Sequence, residues 1–407
     1  MVRTSKLVCG RWRVAVACAA AAVAVAGAIR CGVTVAGSSQ NSAGGAGFAP
    51  VNVAALDTGA YPVIVPPAFG RAGSSSRGRV LDGQRMADDV VAPYEVDPAL
   101  LRAIPQNTMT LDSFRDLPEP LADAAAAHGF IVGFSTARKS VSPGGMTLIG
   151  MVLRFSDPAA AVASAAQMAI RTVADQPQSS EAVVSIPRHP NAIASRFDAG
   201  TAAVVTSFSP HGAYVLYECA QSQQGIDTAV ALIAKTLDLQ EPRIRQFVPT
   251  DPTKFADILA DPSRLLARTL PLNPNALWSN GATVYRSRAA LHFQDDPAAS
   301  AAVFAAAGVD AVSVSRSRVY QAADAAGAAR VADMLARAAR GNSYRPAATV
   351  QGLPTSQCFD GGHDSGTSPR RFYCVAVADR DAFEVFSDQQ RDVQQQSAAQ
   401  YRLLVGH

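Results

Sequence analysis

The sequence predicts an α+β fold of two tandem, related modules, each an antiparallel sheet with helices packed on one face, behind an N-terminal signal or anchor segment. Three observations predict it. Strand-like runs are hairpinned together instead of alternating singly with helices. A similar order of elements recurs in the two halves, and a basic then apolar N-terminus stands apart from both. A length of 407 residues suits two domains, and 48% hydrophobic against 17% charged residues can fill real cores.

The elements follow in chain order. Arg3, Lys6, Arg11 and Arg13 precede an apolar run from Val14 to Ile29, shorter than the ~20 residues that cross a bilayer comfortably. Residues 1–31 therefore read as a signal peptide or lipoprotein signal. Cys31 directly follows, where a bacterial lipoprotein carries its lipid; a cut after Ala24-Val25-Ala26 would instead release a soluble chain. Residues 32–50 read as flexible linker, and 66–79 as a surface loop belonging to no core. The first domain is expected over 51–240 and the second over 251–407, joined by the proline-rich piece Glu241–Pro252. Five Asp-Pro pairs, beginning at Asp97, Asp157, Asp251, Asp261 and Asp296, each read as a helix start. Asp accepts from the free N–H groups of a first turn, and Pro fits the position after it.

From Thr147 to Phe155 the chain is apolar on both faces, as in a strand inside a sheet. Val162, Ala166, Ala169 and Val173 then recur at helical spacing and are expected as a buried stripe. Strands follow at 191–198, 202–208 and 213–220, the last two linked through Ser209–Gly212, then a helix marked by Ile226, Val230, Ile233 and Leu237. The order repeats with a strand over 311–321, a helix capped by Asp324, strands at 354–360, 372–378 and 382–387, and a last helix to about Leu404. Arg196-Phe197-Asp198 answers Cys358-Phe359-Asp360, and the run Ala213–Tyr217 answers Ala382–Phe386. An internal duplication follows.

Charge narrows the function classes. The net charge is +3, but residues 1–31 hold five basic groups and no acid; without them 31 basic groups face 33 acidic ones. A nucleic-acid binder would carry a basic stripe that neutralises phosphates, and none is visible. Lysine is scarce, with arginine in its place, as the codon usage of a GC-rich genome produces, so an arginine cluster is weak evidence of a site.

Cys358 and Cys374 lie on consecutive strands around a Gly-rich loop and are expected to form a disulfide in an exported protein. Cys219, beside Val215 and Tyr217 on one strand face, reads as core and not as a nucleophile. His363-Asp364-Ser365-Gly366 has the Asp-Ser-Gly of one protease class but lacks its flanking glycines, and turn formation explains it. His292 beside Asp295 and Asp296 offers metal-ligand types without the three or more spaced ligands a site needs. No phosphate loop, dinucleotide fingerprint, nucleophile elbow or HExxH occurs. No catalytic residue, metal or cofactor is expected.

Leu56–Pro62, Gln84–Asp88 running on to Tyr94–Pro98, and His292–Ala298 resemble a family of uncharacterised lipoproteins of mycobacteria, nocardiae and their relatives, defined as a domain of unknown function. The resemblance spans nearly the whole chain after the signal. It implies an envelope lipoprotein of two α+β domains in an actinobacterium, and it contributes no catalytic or binding residue. Arg30 before Cys31 departs from the small residue usual there. The expectation is an extracytoplasmic, membrane-anchored or secreted, non-enzymatic protein that binds an envelope protein or an apolar envelope molecule. A carrier of a lipid or other apolar ligand is the first alternative, and a hydrolase centred on Ser365 or His292 the second.

Overall fold

The computed structural model describes residues 51–110, 117–141, 145–174, 182–272, 282–362 and 371–406; Cys31 and the loop His363–Gly366 lie outside them. The first module contains α1 (Ser75–Met86), α2 (Pro93–Val96), β1 (Arg102–Met109), α3 (Glu119–Ala127), β2 (Phe130–Lys139), β3 (Met146–Phe155), α4 (Pro158–Ala174), β4 (Ala182–Val184), β5 (Ile193–Ala199), β6 (Ala202–His211), β7 (Tyr214–Ser222) and α5 (Ile226–Ile244). The second contains β8 (Thr283–Arg286), α6 (Ser287–Ala290), α7 (Pro297–Ala307), β9 (Ala311–Val314), β10 (Arg318–Gln321), α8 (Ala325–Gly341), β11 (Arg345–Ala347), β12 (Gln357–Asp360), β13 (Phe372–Ala378), β14 (Asp381–Ser387) and α9 (Gln390–Val405).

The strands pair in the orders β1-β2-β3-β7-β6-β5-β4 and β8-β9-β10-β14-β13-β12-β11. All neighbours are antiparallel. The two orders are the same element for element, with α4 matching α8 and α5 matching α9, so the fold is α+β and duplicated. The repeated unit also starts earlier than its sequence pattern, at β1 and β8. The hairpins close at His211 opposite Tyr214 and Ala378 opposite Asp381. Tyr214 therefore answers Asp381, two residues away from the match drawn by sequence, with every side chain on the same face.

The helices cover both faces of each sheet, where one face was expected. The cause is visible in β3, whose ten residues are nearly all buried. Leu148 and Val152 pack with Ile233 and Leu237 of α5, and Ile149, Met151 and Leu153 pack with Ala161, Ala165 and Met168 of α4. In the second sheet Tyr373 and Val375 share a core with Val331 and Leu335 of α8, and Cys374, Phe383 and Val385 with Val393 and Leu404 of α9. A strand without polar alternation must be covered twice.

Four local expectations are corrected. Along α4, Ala161, Ser164, Ala165 and Met168 are buried, whereas Val162 is 54% and Val173 42% exposed; the small residues let the helix lie close on the sheet. Of the Asp-Pro pairs, those at Asp157, Asp251 and Asp296 open helices or a 3-10 turn. Asp97 instead accepts from Ala99 N–H at 2.8 Å and Asp261 from Ala267 N–H at 2.8 Å, each fixing a turn. The 66–79 stretch is not all surface loop: Ala72 is buried, α1 begins within it, and a Cβ on Gly78 would lie 1.9 Å from the Phe255 carbonyl oxygen. The 311–321 strand is two strands, β9 and β10, folded back on each other.

The modules share one core. It runs under α5 in the first and under α8, the counterpart of α4, in the second. Residues 51–65 precede the first module yet pack on the second. Leu56 joins the α9 core, Val63 and Val65 pack against Ala399 and Leu403, and the Tyr61 hydroxyl donates to Asp392 at 2.7 Å.

Candidate functional site

His292 lies in the joint between modules, fully buried and tilted against the Phe134 ring at 5.1 Å. Its Nε2 is 3.1 Å from the Ala87 carbonyl oxygen and its Nδ1 is 2.9 Å from the Thr136 hydroxyl. A carbonyl only accepts, so Nε2 carries the proton and Nδ1 accepts from Thr136. Burial lowers the pKa of this imidazole to about 4, with the Ala87 hydrogen bond and Glu95 opposing and Arg138 and Arg243 assisting. Both ring nitrogens are thus committed to packing. Asp296 caps α7 by accepting from Ala299 N–H at 3.0 Å. No group of three or more potential metal ligands occurs among the described residues.

Arg138 of β2 supports the same joint. Fully buried, it donates to the carbonyls of Leu101, of His292 at 2.9 Å and of Gln294 at 2.7 Å. No sequence pattern singled it out, because its partners are backbone oxygens. Other buried acids are also spent inside. Glu384 accepts from the hydroxyls of Tyr320 at 2.7 Å and Tyr373 at 2.9 Å, and from Arg318 at 3.2 Å. Glu218, held under α5, has its pKa raised well above the ordinary value by burial, with nearby Glu241 adding to the effect. Cys219, expected as a simple core residue, is buried on β7 and is disulfide-bonded, its sulfur 3.8 Å from the Thr206 hydroxyl.

Cys358 and Cys374 face each other across β12 and β13 and are joined, S–S 1.98 Å. This bond ties together the two strands that lead to an open cleft of about 830 Å³ at the end of the second sheet. Three ends of regular structure meet there: the C-terminus of α8, the end of β12 with the start of β13, and the N-terminus of α9. The helix α8 stops because Ser343 takes a left-handed backbone, φ +67°, with its N–H on the Arg340 carbonyl and that of Tyr344 on Ala339. That turn sets Asn342, Ser343 and Arg345 on the cleft wall, opposite Asp360, Arg371 and Gln390. Gly361 is required, since a Cβ there would lie 2.9 Å from the Tyr344 ring. Behind the wall, Tyr373 packs against Phe359 at 5.9 Å, Phe386 at 4.9 Å and Tyr344 at 6.3 Å.

Asp360 and Arg371 neutralise each other through two 2.8 Å hydrogen bonds, which raise the pKa of the guanidinium. The side chains of Asn342, Ser343, Arg345 and Gln390 make no hydrogen bond among the described residues. No His, Cys, Lys or Glu lines the cleft among the described residues. Its polar groups can therefore hold a ligand, and no nucleophile–base pair stands among the described residues that line it. These residues were missed in the sequence, where nothing singled out the stretch after the Asp324-capped helix; the left-handed Ser343 is a feature of the fold alone.

The family model described as domain of unknown function DUF7373, N-terminal, matches residues 69–260, and its C-terminal companion matches residues 265–407. No curated protein matches the chain. Among solved structures, the extracellular domain of PknH from Mycobacterium tuberculosis is similar to 38% of this chain over 94% of its own length, at 12% identity and a TM-score of 0.30.

Proposed function

The chain belongs to the two-part DUF7373 family, and from that premise we propose that it is an exported, membrane-anchored envelope protein that binds a ligand or partner without transforming it. The observation that carries the binding role is the cleft of the second module, whose uncommitted polar groups converge while the one carboxylate among its described lining residues is paired with Arg371. Export is supported by the basic-then-apolar N-terminus and by the Cys358–Cys374 bond, which persists in oxidising compartments. Anchoring is supported by Cys31 directly after the apolar run and by the resemblance to mycobacterial and nocardial lipoproteins.

Native mass spectrometry of the full chain, extracted gently from host membranes, tests this reading. The expected spectrum shows a mature N-terminus at Cys31 carrying acyl mass, and a retained non-covalent species lost on mutation of the cleft. A chain that keeps residues 1–30, or one that converts the retained species to a product on standing, would overturn it.

A further inference from the structure

Resting on the reading of the cleft as a binding site, we infer that it takes a hydroxyl-rich ligand bearing one anionic group, a carboxylate or a phosphate, as an acidic sugar does. The amides of Asn342 and Gln390 each offer two donors and an acceptor, and Ser343 adds a hydroxyl. That inventory matches alcohols, which both donate and accept. Charge sets the second half of the inference. Asp360 and Arg371 cancel, which leaves Arg345, without a carboxylate among the described residues, as the cation facing the cleft. Its planar fork suits a carboxylate or phosphate, and among the described lining residues the other cation, Arg371, is already paired with Asp360.

Other occupants fit less well. An acyl chain would cover four polar side chains and leave them without partners, an arrangement that always opposes binding. A peptide strand added to the edge strand β11 would meet Pro346 at its centre, where a backbone donor is missing. The volume of about 830 Å³ lies within the range of small-ligand sites.

The test is titration calorimetry on the full chain purified from its host, with N-acetylmuramic acid, glucose 6-phosphate, N-acetylglucosamine, lactate and inorganic phosphate as probes. An acidic sugar should bind about tenfold or more tighter than the neutral sugar and than either bare anion, the worth of one charge-assisted contact. Whichever acidic sugar binds tighter identifies the anionic group. Arg345→Gln should erase the preference for the acidic sugar, and Asn342→Ala with Gln390→Ala should weaken acidic and neutral sugars together; all three positions are exposed, so the variants fold. Equal binding of neutral and acidic sugars, indifference to Arg345→Gln, or no binding of any sugar would each overturn the inference. A photocrosslinker attached through Ala348→Cys, exposed to host envelope extract, separates the two levels. Capture of a lipid or a polypeptide removes the sugar class and keeps the binding site; capture of nothing removes both.

Discussion

Acid should loosen the joint between the modules, and His292 sets the size of the effect. Burial holds its folded pKa at about 4 against an ordinary value of 6.5. Between those values the unfolded chain binds a proton that the folded chain refuses, so stability rises with pH. The contribution is complete above pH 6.5 and is lost as pH falls to about 4. At 1.36 kcal/mol per unit the loss is on the order of 3 kcal/mol. The geometry explains why: a protonated Nδ1 can no longer accept from Thr136, and the cation would sit beside Arg138 without a carboxylate bonded to it. Urea unfolding of the wild type and His292→Gln at pH 7, 5.5 and 4 measures it, because the titrations of all other groups cancel in the difference. The variant should be the less stable at pH 7, having lost the Thr136 bond and ring packing. The gap should narrow by about 3 kcal/mol by pH 4. Parallel curves from pH 7 to 4 would refute the reasoning, since they would mean that His292 is protonated without cost in the folded joint.

Other perturbations separate packing from exposure. Replacing both Cys358 and Cys374 by Ala opens a loop of 16 residues' separation and should cost roughly 3 kcal/mol in chemical denaturation, from the freedom returned to the unfolded chain. Ile170→Lys, at a position 66% exposed on α4, should change stability by no more than about 0.5 kcal/mol. Ala165→Lys, fully buried on the same helix, should prevent folding or lower the melting temperature sharply. Ser343→Gly should raise stability by about 1 kcal/mol, because glycine adopts the left-handed turn at φ +67° without a Cβ penalty.

Much of the fold was legible because it rests on apolar pattern. The two-faced run of β3 announced a strand inside a sheet, the Asp324 cap stands where expected, and the hairpin strands expected at 372–378 and 382–387 are observed at 372–378 and 381–387. Where the reading failed, two elements competed for the same signal. Val162 and Val173 formed the more hydrophobic stripe of α4, yet the sheet took the side with Ala161 and Ala165, since small residues permit the closer approach. Hydrophobicity alone cannot report that preference. The placement of 51–65 on the second module was equally invisible, because Leu56, Val63 and Val65 are compatible with any apolar surface. The cleft was illegible for another reason: Asn342, Arg345, Asp360, Arg371 and Gln390 come from three separate segments that only the sheet brings together.

The duplication itself helps to locate function. Two copies of one fold share every requirement of folding, so a feature present in one copy alone is not needed to build it. In the first module β5 and β6 are joined by two residues, Gly200 and Thr201. In the second, the matching strands β12 and β13 are separated by eleven, residues 361–371, and are bridged by Cys358–Cys374. A sheet that can turn in two residues does not need eleven, and long connections in compact domains carry function more often than architecture. The disulfide fits that division, for it fastens the strands at the point where the longer connection would otherwise let them part. The first and last residues of that connection, Gly361, Gly362 and Arg371, line the cleft beside the ends of α8 and α9. On this reasoning the first module and the joint at His292 and Arg138 serve as the support, and the second module carries the site.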